Sequence, residues 1–361
     1  MTGPRRVLHV LSALDPGGAE MRTLEVQERL LEHGIAFDYV LLSGREGSLA
    51  HRATAMGSSL YPLPLDAGFP RRFRTLLRDQ GYRVVHSHVA TFSGAVLALA
   101  RTRNVPGRVV HFRSDGDAHG DDLRRRAQRA VMRRLISRYA TDILGVSPGS
   151  LSLGYRDDWH QDPRAQVLPN GIPEGPRRDD GEPHRPLALV NVGRPMPTKR
   201  RAFLGRVVDS LTERGIASEL TCVGARGDDT DALERHAIEH GWQEHLHVLG
   251  TRDDVRQLLA GADVAVFPST LEGLPGAVLE SLATGLATVA TDIPGTRFVA
   301  ANTSGCVLIP EEAGPEAWAD AIVQLQRDYP RPQMIADAFA ASCFSLENAA
   351  TTLRSVYGRH L

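Results

Sequence analysis

Short apolar runs alternate with helical patterns along nearly the whole chain, and one proline-rich break cuts that alternation in two. In the first half VLHVLSA (7–13), FDYVLLS (37–43), VVHSH (84–88), RVVHF (108–112) and TDILGVS (141–147) read as buried strands. The pattern AEMRTLEVQERLLEHG (19–34) puts Leu24, Leu30 and Leu31 on one helical face and stops at Gly34. Further helices are predicted around 71–80, 92–103 and 121–140. Alternation of this kind predicts a parallel sheet with helices on both faces.

The break is PEGPRRDDGEPHRP (173–186), with four prolines, two glycines and no apolar run, which reads as a linker. Beyond it LALVNVG (187–193), ELTCVGA (219–225), LHVLG (246–250), VAVFPS (264–269) and ATVATD (287–292) restart the strand series. The closing segment FSLENAATTLRSVYGRHL reads as a helix with Ser345 as its N-cap. The chain of 361 residues is long enough for two domains with separate cores. The expected division is a first α/β domain over 1–172, the linker, and a second over 187–340. A helix in 341–361 would pack back on the first domain. The halves share architecture and not sequence, so no short repeat is expected.

A net charge of −1 gives no global field toward nucleic acid or membrane. No nucleic-acid recognition motif is present either. The three cysteines, Cys222, Cys306 and Cys343, are far apart and form no CxxC pair, which suits a reducing cytoplasm. The apolar run near the N-terminus is too short for a membrane span or a signal h-region. A cytoplasmic protein is expected.

In doubly wound sheets ligands bind beyond the carboxyl ends of the strands, so residues just after strands are the site candidates. LDPGGAE (14–20) places Gly17 and Gly18 between strand one and helix one, where a backbone can approach a phosphate. It lacks the third glycine of GxGxxG, which argues against a nicotinamide dinucleotide. His86, His88 and His111 lie near strand ends. They lack a cysteine or carboxylate at zinc spacing, so His86 is expected to be a packing residue. Asp115 and Asp117 imitate a metal-binding DxD inside a Gly/Asp-rich loop.

NVGRPMPTKR adds a sharper signal. Of forty-two Lys plus Arg only Lys199 is a lysine. A chain that uses arginine wherever either cation serves keeps lysine where a compact ammonium is needed. Arg194 and Lys199, five residues apart across a proline-bearing turn, can grip a diphosphate from two sides.

The strongest stretch is STLEGLPGAVLESLATG (269–285). Glu272 and Glu280 are eight residues apart, roughly 12 Å along a helix. That exceeds the ~5–9.5 Å between glycosidase carboxylates. One carboxylate for each end of an extended ligand fits better, with a phosphate between them at the loop and helix N-terminus. Pro275 has no N–H, so Gly276, Ala277 and their neighbours must be the donors.

Together these stretches resemble a family-4 glycosyltransferase of the GT-B fold. The matching pieces are PGGAE, VVHSH, GVS, LPNGI (168–172), NVGRPMPTK, TCVG, HVLGTRDDV, DVAVFPSTLEGLPGAVLESLATG and ATDIPG. The resemblance implies two Rossmann-like domains facing a cleft, and retaining transfer of a hexosyl group from a nucleotide-diphosphate sugar, UDP favoured over GDP. By that resemblance Arg194 and Lys199 neutralise the donor diphosphate, Glu272 touches the donor sugar and Glu280 the ribose. Gly17 and Gly18 approach the phosphates, and His111 sits near the transferred sugar. Gly250 and Val255 line the nucleobase, and Gly193, Gly273, Leu274, Gly276 and Ala277 complete the donor loops. No metal or cofactor is implied, because the cation pair replaces magnesium and the leaving phosphate helps deprotonate the acceptor.

The sequence departs from the family pattern at IPGTRFV, where Arg297 stands near an expected acidic residue, and in HFRSDGDAHGDD. Both bear on the sugar and acceptor pockets. The acceptor hydroxyl belongs to a glycan, a lipid-linked intermediate or a natural product. LRRRAQRAVMRRLISRY aligns Ala127, Val131, Leu135 and Tyr139 among arginines, which reads either as an ordinary domain helix with a solvated face or as peripheral contact with an anionic membrane through helix 121–140. A monomer or homodimer is expected. The other readings are a sugar-nucleotide 2-epimerase on the same fold and a non-catalytic nucleotide-sugar binding protein. The intact set of Glu272, Glu280, Arg194 and Lys199 argues against the latter.

Overall fold

The computed structural model describes residues 4–113, 123–328 and 331–361. These divide into two compact units, residues 1–171 with 346–361, and residues 172–345.

The first unit runs β1 (Arg5–Leu11), α1 (Gly18–Leu31), β2 (Ile35–Leu41), α2 (Ala50–Ala55), β3 (Leu60–Pro62), α3 (Phe69–Gln80), β4 (Val84–Ser87), α4 (Ser93–Arg101), β5 (Gly107–Phe112), α5 (Leu123–Tyr139), β6 (Asp142–Gly145), α6 (Pro148–Gly154) and β7 (Ala165–Val167). Its seven strands are all parallel, in the order β3-β2-β1-β4-β5-β6-β7. The order reverses between β1 and β4. Strands β2 and β4 are buried along their whole length, which is why they read as continuous apolar runs rather than alternating ones.

The second unit runs β8 (Leu187–Val192), α7 (Phe203–Glu213), β9 (Ser218–Val223), α8 (Asp228–Glu239), β10 (Leu246–Val248), α9 (Val255–Ala260), β11 (Val264–Phe267), α10 (Gly276–Ala283), β12 (Thr288–Thr291), α11 (Pro294–Ala300), β13 (Cys306–Ile309), α12 (Pro315–Arg327) and α13 (Pro332–Ala341). Six parallel strands lie in the order β10-β9-β8-β11-β12-β13, with the reversal between β8 and β11. Both sheets are doubly wound and Rossmann-like.

The last helix, α14 (Leu346–Gly358), belongs to the first unit. Its Leu353, Val356 and Tyr357 are buried in one cluster with Val7, Leu24, Phe37 and Val84. Arg359 pairs with Asp142 at the start of β6, and His360 Nε2 lies 2.8 Å from the same carboxylate.

Two stretches singled out in the sequence gain detail here. The proline-rich stretch 173–186 is bonded to the second unit. Buried Arg178 pairs with fully buried Asp263 at 2.6 Å, and its amide donates to the Thr284 carbonyl at 2.8 Å. A run of polar residues thus found its partners on the sheet and not in water. On α5 the aligned apolar residues are divided: Ala127 and Val131 are exposed, whereas Leu135 and Tyr139 are half-buried, Tyr139 against the cluster of Val110, Ile143 and Leu151. Only Ile136 is buried, while Val131 is 51% exposed. The packed side is set by α4, where Gly94 lets the Met132 backbone come so close that a Cβ would lie 2.3 Å from its carbonyl oxygen.

Candidate functional site

In the second unit the loop after β8 and the loop after β11 flank the point where strand order reverses. Lys199 ends a single helical turn, Pro197–Lys199, in the first loop, and its Nζ pairs with Glu272 Oε1 in the second. The Thr270 amide donates to the Thr198 carbonyl at 2.8 Å, so backbone as well as charge joins the two loops. Both side chains of the ion pair remain partly accessible. Arg194 is exposed on the same loop, and its carbonyl accepts the Met196 amide at 2.8 Å.

The base of these loops is held by a residue that sequence reasoning missed. Arg201 is buried, and its guanidinium donates to the carbonyls of Gly193 (2.8 Å) and Val223 (3.0 Å), to Asn191 Oδ1 (3.2 Å) and to Thr230 Oγ1 (2.9 Å). It ties the carboxyl ends of β8 and β9 together. Asp229 caps the next turn, accepting the Ala202 amide at 3.0 Å. The β9 end demands glycine: Gly224 has φ +130° and a Cβ there would lie 1.9 Å from the Gly193 carbonyl oxygen. Its amide donates to the carbonyl of Gly250, itself at φ +68°. Val255, Leu274 and Ala277 pack partly into the second unit's core.

Helix α10 starts after Pro275. Its first internal bond, from the Leu279 amide to the Pro275 carbonyl, is 3.1 Å long. The amides of Gly276, Ala277 and Val278 precede it and form a donor cluster at the positive end of the helix. Gly276 is exposed, and a Cβ there would meet nothing within 4 Å. Glu280 is half-buried one turn further along. Gly273 and Glu272 are fixed from behind by α11, since a Cβ on Gly295 would lie 2.5 and 2.6 Å from their carbonyl oxygens. Arg297 pairs with Asp292 at that helix and does not join the Lys199 cluster.

In the first unit Gly17 precedes α1 in extended backbone, and Gly18 opens it with nothing within 4 Å of a would-be Cβ. Glu20 folds back over Gly17, and burial raises its carboxyl above the usual range. Beside this turn, at the ends of β1 and β4, is a cavity of about 430 Å³ lined by Ser12, Glu20, His88 and apolar residues including Leu42 and Phe92.

Beneath it is a row of imidazoles on adjacent strands. His9 on β1 faces its β4 register partner His86, with ring centroids 4.9 Å apart, and His86 stacks on His111 of β5 at 5.5 Å and 7°. His9 Nδ1 is 2.9 Å from His88 Nε2, and His111 Nε2 is 3.2 Å from the Leu168 carbonyl. Burial drives all four rings well below the usual histidine pKa, with the nearby Arg113 charge adding to it. They are neutral near pH 7. His86 is therefore a packing residue in part, although its Nδ1 bonds Tyr357. His9, His86 and His88 come close enough to ligate a metal ion together. Arg113 Nε, 3.2 Å from His88 Nδ1, would oppose a dication there. His111 Nδ1 has no hydrogen-bond partner among the described residues. The DxD look-alike, Asp115 and Asp117, lies outside the described residues.

Two family models match. "Glycosyl transferase 4-like domain" covers residues 17–171 and "Glycosyl transferases group 1" covers 186–328. The putative glycosyltransferase EpsF of Bacillus subtilis is 27% identical over 98% of this chain and 96% of its own. The capsular polysaccharide biosynthesis glycosyltransferase CapH of Staphylococcus aureus is 29% identical over 76% of this chain and 78% of its own. Among solved structures, Anabaena HepE in complex with UDP superposes with a TM-score of 0.75 at 16% identity, over 98% of this chain and all of its own.

Proposed function

The chain belongs to glycosyltransferase family 4, with the GT-B fold, and from that premise we propose that it moves a hexosyl group from a UDP-sugar to an acceptor hydroxyl with retention and without a metal ion. The observation that carries this reading is the Lys199–Glu272 pair across the β8/β11 reversal. The donor nucleotide in this reading is UDP rather than GDP; Anabaena HepE, which shares the fold, was solved with UDP. The acceptor is a glycan, a lipid-linked intermediate or a natural product.

In the free protein Glu272 neutralises Lys199. A bound diphosphate takes over the ammonium, with Arg194 beside it and the amides of Gly276, Ala277 and Val278 on its other oxygens. Glu272 is then released to the hydroxyls of the donor sugar, and Glu280 to the ribose. Gly250 and Val255 border the base, and Gly193, Gly273 and Leu274 give the backbone surface. As the bond from the anomeric carbon to the diphosphate breaks, charge grows on the leaving oxygen, and fixed cations and N–H dipoles stabilise it. The acceptor oxygen bonds that carbon on the same face, and its proton passes to the leaving phosphate. This route needs no side-chain base.

The exposed side of α5 carries Leu123, Val131, Arg124, Arg134 and Arg138. A cationic face with apolar residues suits an anionic lipid surface, and we assign it peripheral contact with the inner membrane face.

Calorimetry of UDP and GDP with EDTA present, on wild type and Lys199→Ala, tests the donor site. Micromolar UDP binding that weakens tenfold or more in the variant, about 1.4 kcal/mol, supports it. Binding indifferent to Lys199, or none, refutes it.

A further inference from the structure

In the first unit one guanidinium has no counter-charge among the described residues. Arg113 follows β5 directly, and its Nε, Nη1 and Nη2 donate to His88 Nδ1 (3.2 Å), Asn170 Oδ1 (2.6 Å) and Thr23 Oγ1 (3.3 Å). Asn170 and Thr23 are uncharged, and burial keeps the His88 ring neutral. Among the described residues no carboxylate makes an ion pair with Arg113. Glu20 acts on it only from a distance, and Arg22 opposes that effect. Burial brings its pKa down to about 10, whereas Arg6, paired with Asp38, is raised.

Arg113 is half-buried among neutral partners, and a cation drawn even partly out of water without an anion is poorly compensated by neutral rings. Such a charge at the carboxyl end of a strand, bonded to the His88 that lines the cavity, marks a place where a ligand completes the pair. Three of the five guanidinium N–H groups are used, and two remain. Their planar fork matches the oxygens of a phosphate better than a hydroxyl or a neutral ring.

We propose that Arg113 binds a substrate phosphate oxyanion in the first unit, and that this phosphate belongs to the acceptor. The assignment of donor and acceptor rests on the reading above. It adds a class of acceptor: a phosphate or diphosphate ester and not a neutral glycan. The donor's own diphosphate has the same chemistry, so the test separates the two sources.

Calorimetry and thermal unfolding are run on the full chain as wild type, Arg113→Gln and Arg113→Lys. The probes are UDP, geranyl diphosphate on UDP-saturated protein, and inorganic pyrophosphate on nucleotide-free protein. The expected result is geranyl diphosphate binding that weakens at least tenfold in R113Q and partly recovers in R113K, with UDP affinity changed less than twofold. The rise in unfolding temperature on adding geranyl diphosphate then disappears in R113Q. A tenfold loss of UDP affinity instead, with geranyl diphosphate unchanged, overturns the acceptor assignment and makes the donor the source. If R113Q fails to fold, R113K against wild type carries the comparison. Equal affinities for every probe in all three proteins, or no geranyl diphosphate binding to wild type, overturn the proposal. If wild type binds no UDP, the donor reading fails on its own. Pyrophosphate then tests Arg113, with binding lost in R113Q but kept in Lys199→Ala supporting it and the reverse pattern overturning it.

Discussion

The Tyr357 hydroxyl lies 2.6 Å from His86 Nδ1 and 3.4 Å from His9 Nε2, so the last helix of the chain completes a row of imidazoles that starts on its first strand. Replacing Tyr357 by Phe removes the hydroxyl and leaves a buried His86 nitrogen unsatisfied. A loss of about 1–3 kcal/mol is expected, read by urea unfolding at pH 7.5. An unchanged midpoint would contradict the bond.

The same row sets a pH dependence. The folded protein keeps His9, His86, His88 and His111 neutral, with pKa values well below 6.5. The unfolded chain takes up protons near 6.5, so below that pH it binds more protons than the native state. Stability should be complete above about pH 6.5 and decline steadily as pH falls beneath it. Denaturant midpoints between pH 8 and 5 measure this, and a flat profile would show that the rings are not held neutral.

At the second unit's loops the ion pair and the ligand site are separable. Lys199 and Glu272 are both partly accessible, so breaking the pair should cost less than about 1 kcal/mol of stability. Glu272→Gln should keep UDP affinity within about threefold while turnover falls by roughly 10²-fold or more, as for loss of a group acting in the transition state. A large loss of UDP affinity in this variant would make Glu272 a binding residue first.

Two glycines should respond in opposite ways. Gly224→Ala drives a Cβ into the Gly193 carbonyl at positive φ, and a loss of roughly 3 kcal/mol or more, or failure to fold, is expected. Gly18→Ala meets open space and should change stability by less than about 1 kcal/mol. If Gly18 lies against a phosphate, its alanine variant loses donor turnover while its melting temperature holds. Retained turnover would remove Gly18 from the site.

For α5, sedimentation with phosphatidylglycerol vesicles should capture the wild type and release it in high salt. Arg134→Glu with Arg138→Glu should abolish capture. Equal capture by pure phosphatidylcholine, or by the charge-reversed variant, would contradict the lipid assignment.

The fold was legible where burial is continuous. Val84–Ser87 and Val264–Phe267 are buried throughout, and their apolar runs announce parallel strands. The reading missed β3, β7 and β13, edge strands of only three or four residues, too short to show a period. The site was half legible. A lone lysine and a glycine loop draw attention to Lys199 and Glu272. Arg201 and Arg113 do not stand out, because in a chain with one lysine among forty-two basic residues every other cation is an arginine. Their importance comes from burial and from partners such as Thr230 and Asn170, which only the folded chain brings together.

The return of α14 to the first unit also fixes an order of events during synthesis. Residues 1–171 leave the ribosome well before 346–361, yet their core lacks Leu353, Val356 and Tyr357 until the final turns arrive. Residues 172–345 are complete sooner. Nascent domains generally mature from the N-terminal end, and here that direction is reversed: the half made first finishes last. A product truncated near residue 345 would keep its second unit whole and expose an apolar trough across the first, in the form that chaperones and proteases recognise.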